Sequence, residues 1–324
     1  MNTERKRILA AVAEELSEEH KERIRRDACA HGFEALFFKT AEEAEPYLEP
    51  AEILFSADPS LLKKAPGVKW VCTPFAGIDR FSEPGVFDES RILLSNSSGA
   101  YGITISEHVI MMILEILRKM EDYHAYREQK LWKRDLPVRS IHGSRVVIAG
   151  TGDIGTNIAK RLRAFDPAAV IGINQSLRNP DELFDSVVSL AALTAVLKDA
   201  DILILTLPAT PKTFHRIADA ELSCMKDDAL LINVGRGTVI DEKALIRHLD
   251  KGRLYAGLDV FETEPLPQDC PLWNHPRALI TPHCSGNMTL KTTVDLVVEQ
   301  FLEDLDRYCS GLPLLHAASV KRGY

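Results

Sequence analysis

An arginine, two carboxylates and a histidine stand in three short loops of the C-terminal half of this chain. Arg236 lies in Asn233-Val-Gly-Arg-Gly237, Asp259 and Glu264 in Leu258-Asp-Val-Phe-Glu-Thr-Glu-Pro265, and His283 in Thr281-Pro-His-Cys-Ser-Gly286. A guanidinium stays charged and presents a planar fork, so Arg236 can hold a carboxylate bidentately and polarise a carbonyl beside it. Histidine titrates near neutrality and can give a proton to a carbonyl oxygen as hydride arrives, or take it back in reverse. A carboxylate such as Glu264 beside that ring would favour the imidazolium and fix its orientation. Asp259 has two readings: acceptor for a nicotinamide carboxamide, or cap of a loop. Taken singly, each residue has an ordinary structural explanation. Their joint placement after successive apolar runs points to hydride transfer between a nicotinamide and a small 2-oxo acid.

The nicotinamide is argued from Gly150-Thr-Gly-Asp-Ile-Gly155, which follows the apolar run Val146–Ala149 and opens a helical stretch at about Ile154–Ala164. Gly150 makes the tight turn, Gly152 admits a pyrophosphate to the backbone, and Gly155 permits close helix–strand packing. The helix N-terminus adds unpaired N–H groups and a positive dipole end. The next strand end reads Gly172-Ile-Asn-Gln-Ser-Leu-Arg178, with no acid to bind a plain ribose 2′-hydroxyl or repel a 2′-phosphate. Ser176 and Arg178 could hydrogen-bond such a phosphate, which favours NADP, while Asn174 on a plain ribose, with Arg178 a solvated loop cation, leaves NAD open.

These loops need elements to position them. Residues 8–95 alternate short apolar runs (Ile8–Val12, Phe33–Phe38, Ile53–Phe55, Trp70–Thr73, Ile92–Leu94) with helical stretches at Ser17–Ala30, Ala41–Leu48 and Ser60–Ala65. Ser17 suits an N-cap and Gly32 a left-handed helix end. A long helix from about Ile105 to beyond Met120 is apolar on all sides, which predicts burial between domains or subunits, with Met111 and Met112 as core filler. After Gly143 the alternation restarts with six strands, Val146–Ala149, Val170–Ile173, Ile202–Leu205, Leu230–Val234, Leu254–Leu258 and Leu279–Thr281, and a final helix spans Leu290–Tyr308. Alternation of this kind predicts an α/β fold with two parallel sheets covered by helices. In such sheets ligands bind outside the strands' carboxyl ends, so the loops at Leu205–Thr213, Asn233–Gly237, Leu258–Pro265 and Thr281–Gly286 should converge beside the glycine loop.

Composition narrows the class. With 324 residues, 45% hydrophobic and 27% charged, the chain suits two globular domains. A net charge of −8 without a basic block argues against nucleic-acid binding. The six cysteines at 29, 72, 224, 270, 284 and 309 show no zinc spacing, so no metal is expected and the thiols read as reduced and cytoplasmic. The apolar run Ile8–Ala13 meets Glu14-Glu15 too soon for a signal peptide, and Val109–Leu114 stops at Glu115, far short of a membrane span.

Over nearly its whole length the sequence resembles the D-isomer-specific 2-hydroxyacid dehydrogenase family. Phe75-Ala-Gly-Ile-Asp79 is similar to the family's substrate-carboxylate loop, and Ser97–His108 to the start of its interdomain helix. The glycine loop, Leu207–Thr213, Asn233–Gly237, Asp259–Pro265 and Thr281–Gly286 complete the set. The resemblance implies catalytic roles for Arg236, Glu264 and His283, and substrate contacts from Phe75, Ala76, Gly77 and Ile78 as well as Arg236 and His283. It implies coenzyme contacts from Gly150, Gly152, Asp153, Ile154, Gly155, Asn174, Gln175, Ser176, Arg178, Leu207, Pro208, Thr213, Val234, Gly235, Arg236, Asp259, His283, Ser285 and Gly286.

It also implies a Rossmann dinucleotide-binding domain at 100–287 inserted into a flavodoxin-like substrate domain made of 1–99 and 288–324, and pairing into homodimers. Departures exist. The second-strand acid of NAD-using members is absent, and Asp166-Pro-Ala168 reads as a one-residue insertion before that strand. The Ser-x-Arg pattern is closer to the NADPH-using glyoxylate/hydroxypyruvate reductase branch. Trp132 resembles an aromatic that reaches the partner's active site in some members, and packing at a helix end explains it equally well. Phe55, Phe75 and Trp132 are the candidate pocket walls. The rival readings are a corepressor-like dinucleotide-sensing protein, which needs no acid–base pair, and a formate or phosphite dehydrogenase, which the Phe75–Asp79 loop does not favour.

Overall fold

The computed structural model describes residues 7–13 and 16–323, so Glu14 and Glu15 lie outside the described residues. The chain falls into two compact units, Met1–Tyr101 with Met288–Tyr324, and Gly102–Asn287.

The first unit is built on β1 (Arg7–Val12), β2 (Phe33–Phe38), β3 (Ala51–Ser56), β4 (Trp70–Cys72) and β5 (Leu93–Ser95). All neighbours pair in parallel, in the order β2-β1-β3-β4-β5 of flavodoxin-like sheets. The helix Glu18–Ala30 starts where Ser17 and His20 form a reciprocal capping box, and the chain leaves it through Gly32 at φ 79°. The segment Pro59–Lys64 is a 3-10 helix rather than an α-helix, and Ala41–Ala44 also tightens into 3-10 geometry at Glu45–Tyr47. A proline early in each 3-10 turn lacks an N–H to extend a longer ladder.

The late helix Lys291–Cys309 completes this unit's core. Val294, Val297, Val298, Phe301 and Leu305 form its buried stripe, at the spacing of one helical face. Phe301 stacks on Trp70 with centroids 5.3 Å apart and meets Phe55 at 4.9 Å. Phe55 is therefore fully buried and is no pocket wall.

The second unit carries β6 (Arg145–Ala149), β7 (Ala169–Ile173), β8 (Ser186–Val188), β9 (Ile202–Leu205), β10 (Ala229–Asn233), β11 (Leu254–Leu258) and β12 (Ala278–Ile280). The order is β12-β11-β10-β9-β6-β7-β8, parallel throughout. The chain builds outward from β6 in both directions, which puts the topological switch point between β6 and β9. The sheet has seven strands where the sequence predicts six. β8 was missed because it has three residues, none fully buried, and no apolar run.

The long helix also differs from expectation. It spans Gly102–Leu117 and stops because Lys119 adopts a left-handed conformation at φ 59°, after which Met120–Glu128 forms a separate helix. It is not buried all round. Met112 is core, as expected of a filler, but Met111 is 43% exposed. No helix among the described residues is long and apolar enough to cross a membrane.

Candidate active site

The glycine loop leaves β6 with Gly150 at φ 104°, and a side chain there would collide with Thr206 at the end of β9. A Cβ on Gly155 would overlap the Gly150 carbonyl, so the helix Asp153–Leu162 can approach β6 only without one. Gly152 caps that helix in an extended conformation, and a Cβ there would meet no atom within 4 Å. Two glycines thus close the turn and the third leaves open space at a helix N-terminus, which fits a dinucleotide pyrophosphate. The Asp153 carboxylate turns inward, with Asn157 donating to it at 2.9 Å. Burial raises its pKa, against hydrogen bonds from the Gly102 amide and Asn157. What Asp153 offers a phosphate is backbone, not charge.

At the end of β7, Asn174 is an organiser of its loop. Its amide donates to the Thr151 hydroxyl in the glycine loop and, at 2.8 Å, to the Arg178 carbonyl. The Arg178 amide points back to the Ser176 hydroxyl at 3.4 Å. This knot leaves Gln175, Ser176, Leu177 and Arg178 exposed on its outer side.

After β9, Leu207 and Pro208 lead into a turn closed by Thr213, whose buried hydroxyl donates to the Pro208 carbonyl at 2.6 Å and accepts from the Thr210 amide at 2.9 Å. Thr213 therefore shapes the loop from inside. After β10, the buried Asn233 side chain accepts from the Gly235 amide at 3.1 Å and donates to the Arg236 carbonyl at 2.9 Å. That staple forms the Val234-Gly235-Arg236 turn. Gly235 lies against the Leu207 backbone, where a Cβ would come within 2.7 Å of the Leu207 carbonyl. Arg236 donates to the Gly235 carbonyl at 2.7 Å and is partly exposed. Gly237 packs directly on the Phe261–Glu262 backbone, so the arginine turn and the Glu264 loop are neighbours.

His283 and Glu264 meet. The ring Nδ1 lies 2.7 Å from Glu264 Oε2, while Glu264 Oε1 accepts from the Phe261 amide at 3.0 Å. The Glu264 carboxylate is thus fixed at one oxygen and orients the imidazole with the other. His283 sits at φ 50°, a costly conformation for a residue with a Cβ. It is held there by its own amide, which donates to the Asp259 carbonyl at 2.8 Å.

The fully buried Asp259 carboxylate accepts from the Thr281 hydroxyl at 2.6 Å and from the amides of Cys284 and Ser285 at 2.9 and 3.0 Å. Of its two readings, loop cap is the one its side chain performs in this structure. Burial, reinforced by Asp259, pushes the Cys284 thiol up. Sequence reasoning gave no role to His108 and Thr281, which join this cluster, because a helix residue and a loop residue 173 positions apart carry no shared pattern. His108, Asp259 and Cys284 bring potential ligand atoms within 4.8 Å of one another, yet the carboxylate is already taken up by three donors.

In the first unit, the Thr73–Ile78 loop is held by its carbonyls. Tyr101 donates to Pro74 at 2.7 Å, the Ser97 amide to Phe75 at 3.1 Å, and Asn96 to Ala76 at 2.6 Å. Phe75 is exposed, whereas the Ile78 side chain belongs to the core, so only its backbone can face a ligand.

The chain is similar to known proteins in sequence and fold. Residues 110–285 match the model of the D-isomer specific 2-hydroxyacid dehydrogenase NAD binding domain. Glyoxylate/hydroxypyruvate reductase B of Enterobacter sp. (strain 638) is 32% identical over 265 residues, covering 79% of this chain and 81% of that protein. The crystal structure of a D-isomer specific 2-hydroxyacid dehydrogenase family protein from Aeromonas salmonicida superposes with a TM-score of 0.87 at 33% identity, covering 97% of this chain and 99% of that one. An NADPH-dependent glyoxylate/hydroxypyruvate reductase from Sinorhizobium meliloti, solved with NADP and sulfate, gives 0.80 at 28% identity, covering 98% and 100%. The chain belongs to the D-isomer-specific 2-hydroxyacid dehydrogenase family and is an NAD(P)-dependent oxidoreductase of 2-oxo and 2-hydroxy acids.

Proposed function

We propose that this enzyme reduces a small 2-oxo acid of the glyoxylate and hydroxypyruvate kind to the D-2-hydroxy acid, with NADPH as the preferred coenzyme. The observation that carries the reading is the His283–Glu264 pair at the carboxyl end of a parallel sheet, one loop away from Arg236. The coenzyme, when bound, supplies the hydride. Glu264 accepts the Nδ1 proton of His283, which leaves Nε2 as the atom that gives a proton to the substrate oxygen during reduction and recovers it in oxidation. Arg236 binds the substrate carboxylate with its fork and draws electron density from the adjacent carbonyl. In the first unit, the backbone amides of Ala76, Gly77 and Ile78, with Phe75 beside them, are substrate-carboxylate donors, and the carbonyl-side anchoring of that loop supports this role.

NADPH preference rests on the outward face of the 174–178 knot, where Ser176 and Arg178 can hydrogen-bond a 2′-phosphate and residues 174–178 include no acid. The second unit is the dinucleotide-binding domain and the first is the substrate domain. The enzyme acts in the cytoplasm as a homodimer. The 94% exposed Trp132, with the exposed Leu131 next to it in sequence, is the apolar surface a second copy would cover. Steady-state assays of glyoxylate, hydroxypyruvate, pyruvate and branched 2-oxo acids against both nicotinamides test the assignment. Absence of turnover with all of them, with tight dinucleotide binding retained, would favour the sensing protein.

A further inference from the structure

The helix Gly102–Leu117 carries one polar side chain whose bonding leads straight into the loop of His283. His108 Nε2 lies 3.0 Å from the Thr281 hydroxyl, which lies 2.6 Å from Asp259 Oδ1. Thr281 has a single hydroxyl proton, and the short bond to a carboxylate claims it. Its oxygen therefore accepts, and His108 must be the donor, as the neutral tautomer protonated on Nε2. Burial lowers the His108 pKa, against the pull of Asp259, in keeping with an uncharged ring. The order of donation is then fixed: His108 to Thr281, Thr281 to Asp259. Asp259, with no exposed surface, passes the constraint on by accepting the amides of Cys284 and Ser285 with its side chain and of His283 with its carbonyl.

We infer that His108 is a positioning residue for the acid–base step, acting through Thr281 and Asp259 on the loop that presents His283. The loop needs such support. His283 holds a left-handed backbone conformation and half of its side chain is solvent-exposed, so packing alone does not fix it. An imidazole moved by about 1 Å loses roughly tenfold to a hundredfold in rate. The inference rests on His283 being the proton donor, and the experiment separates the two.

His108→Ala, His108→Gln, Thr281→Val and the double variant His108→Ala/Thr281→Val are compared with His283→Gln for turnover of hydroxypyruvate and for Tm. His108→Ala should lower kcat about tenfold, with KM for coenzyme and oxo acid within about twofold and Tm nearly unchanged. Glutamine keeps an N–H donor at similar reach and should restore most of the loss. Thr281→Val should match His108→Ala, and the double variant should be no worse than either, because both cut the same chain. Should His108→Ala fold poorly, His108→Leu gives the donor-free comparison. An inactive His283→Gln beside a wild-type-like His108→Ala or His108→Leu overturns the relay alone, as do losses that multiply in the double variant. Full turnover by His283→Gln overturns the reading beneath it.

Discussion

His283 Nδ1 and Glu264 Oε2 lie 2.7 Å apart although 19 residues separate them in sequence. The contact joins the loops that follow β11 and β12, and Glu264 is itself pinned by the Phe261 amide. A base oriented by a third group is what proton transfer to a bound carbonyl needs. Replacing Glu264 by Gln keeps a hydrogen-bond acceptor and removes the charge that stabilises a protonated ring. The expected result is a fall in kcat of about tenfold with KM nearly unchanged, read by steady-state kinetics. An unaltered kcat would detach Glu264 from the chemistry.

Arg236 should behave differently, because its fork serves ground and transition states alike. Arg236→Lys retains charge and loses the bidentate geometry. KM for the oxo acid should rise and kcat fall, each by about tenfold or more. Unchanged values of both would remove Arg236 from substrate binding.

The three glycines of the 150–155 loop should separate into two phenotypes. Gly152→Ala adds a methyl group to open space at an ordinary φ of −74°, so Tm should hold while KM for coenzyme rises. Gly155→Ala drives the methyl into the Gly150 carbonyl, and the protein should lose about 1–3 kcal/mol of stability or fail to fold. Equal Tm losses in the two variants would contradict the view that Gly152 borders the pyrophosphate.

Coenzyme choice has its own test. The ratio of kcat/KM for NADPH over NADH should exceed one and fall by about tenfold in Arg178→Ala, the worth of one charge-assisted hydrogen bond. A preference for NADH that Arg178→Ala leaves unchanged would mean that Asn174 serves a plain ribose instead.

Stability should report the late helix joining the first sheet. Glu52 accepts two bonds from Arg7, at 2.8 and 3.2 Å, and one from Tyr308 at 2.8 Å. The Arg7 hydrogen bond, opposed by burial and aided by Tyr308, holds the Glu52 carboxyl below its ordinary 4.5. A depressed folded-state pKa contributes stability above the unfolded value, and that stability disappears as pH falls through the folded value. Glu52→Gln should therefore lower Tm at pH 7, and its gap to the wild type should close in acid below about pH 4. A gap independent of pH would mean that packing, not charge, ties Tyr308 to the sheet.

Much of this was legible in the residues because the elements are short, apolar and punctuated. The five strands of the first unit and six of the second announce themselves as short apolar runs, and Gly150 to Gly155 fall where a strand must turn into a helix. β8 escaped because an edge strand of three half-exposed residues has no pattern to read. Met111 was misjudged because composition around a helix axis does not say which side is covered. Phe55 looked like a pocket wall since nothing in sequence announces that Phe301 will pack against it. The reactive groups were visible as residue types, but their supports were not. Asn233, Thr281 and His108 matter through hydrogen bonds made only after folding.

Single-turnover reduction of hydroxypyruvate with excess enzyme and NADPH, following coenzyme oxidation and the chirality of the glycerate formed, reads the role of His283 in the hydride step. The wild type should give D-glycerate, and His283→Gln should slow the hydride step by about 10²–10⁴ while binding NADPH as tightly as before. An equal rate in the variant, or L-glycerate from the wild type, would contradict His283 as the proton donor to a D-2-hydroxy acid.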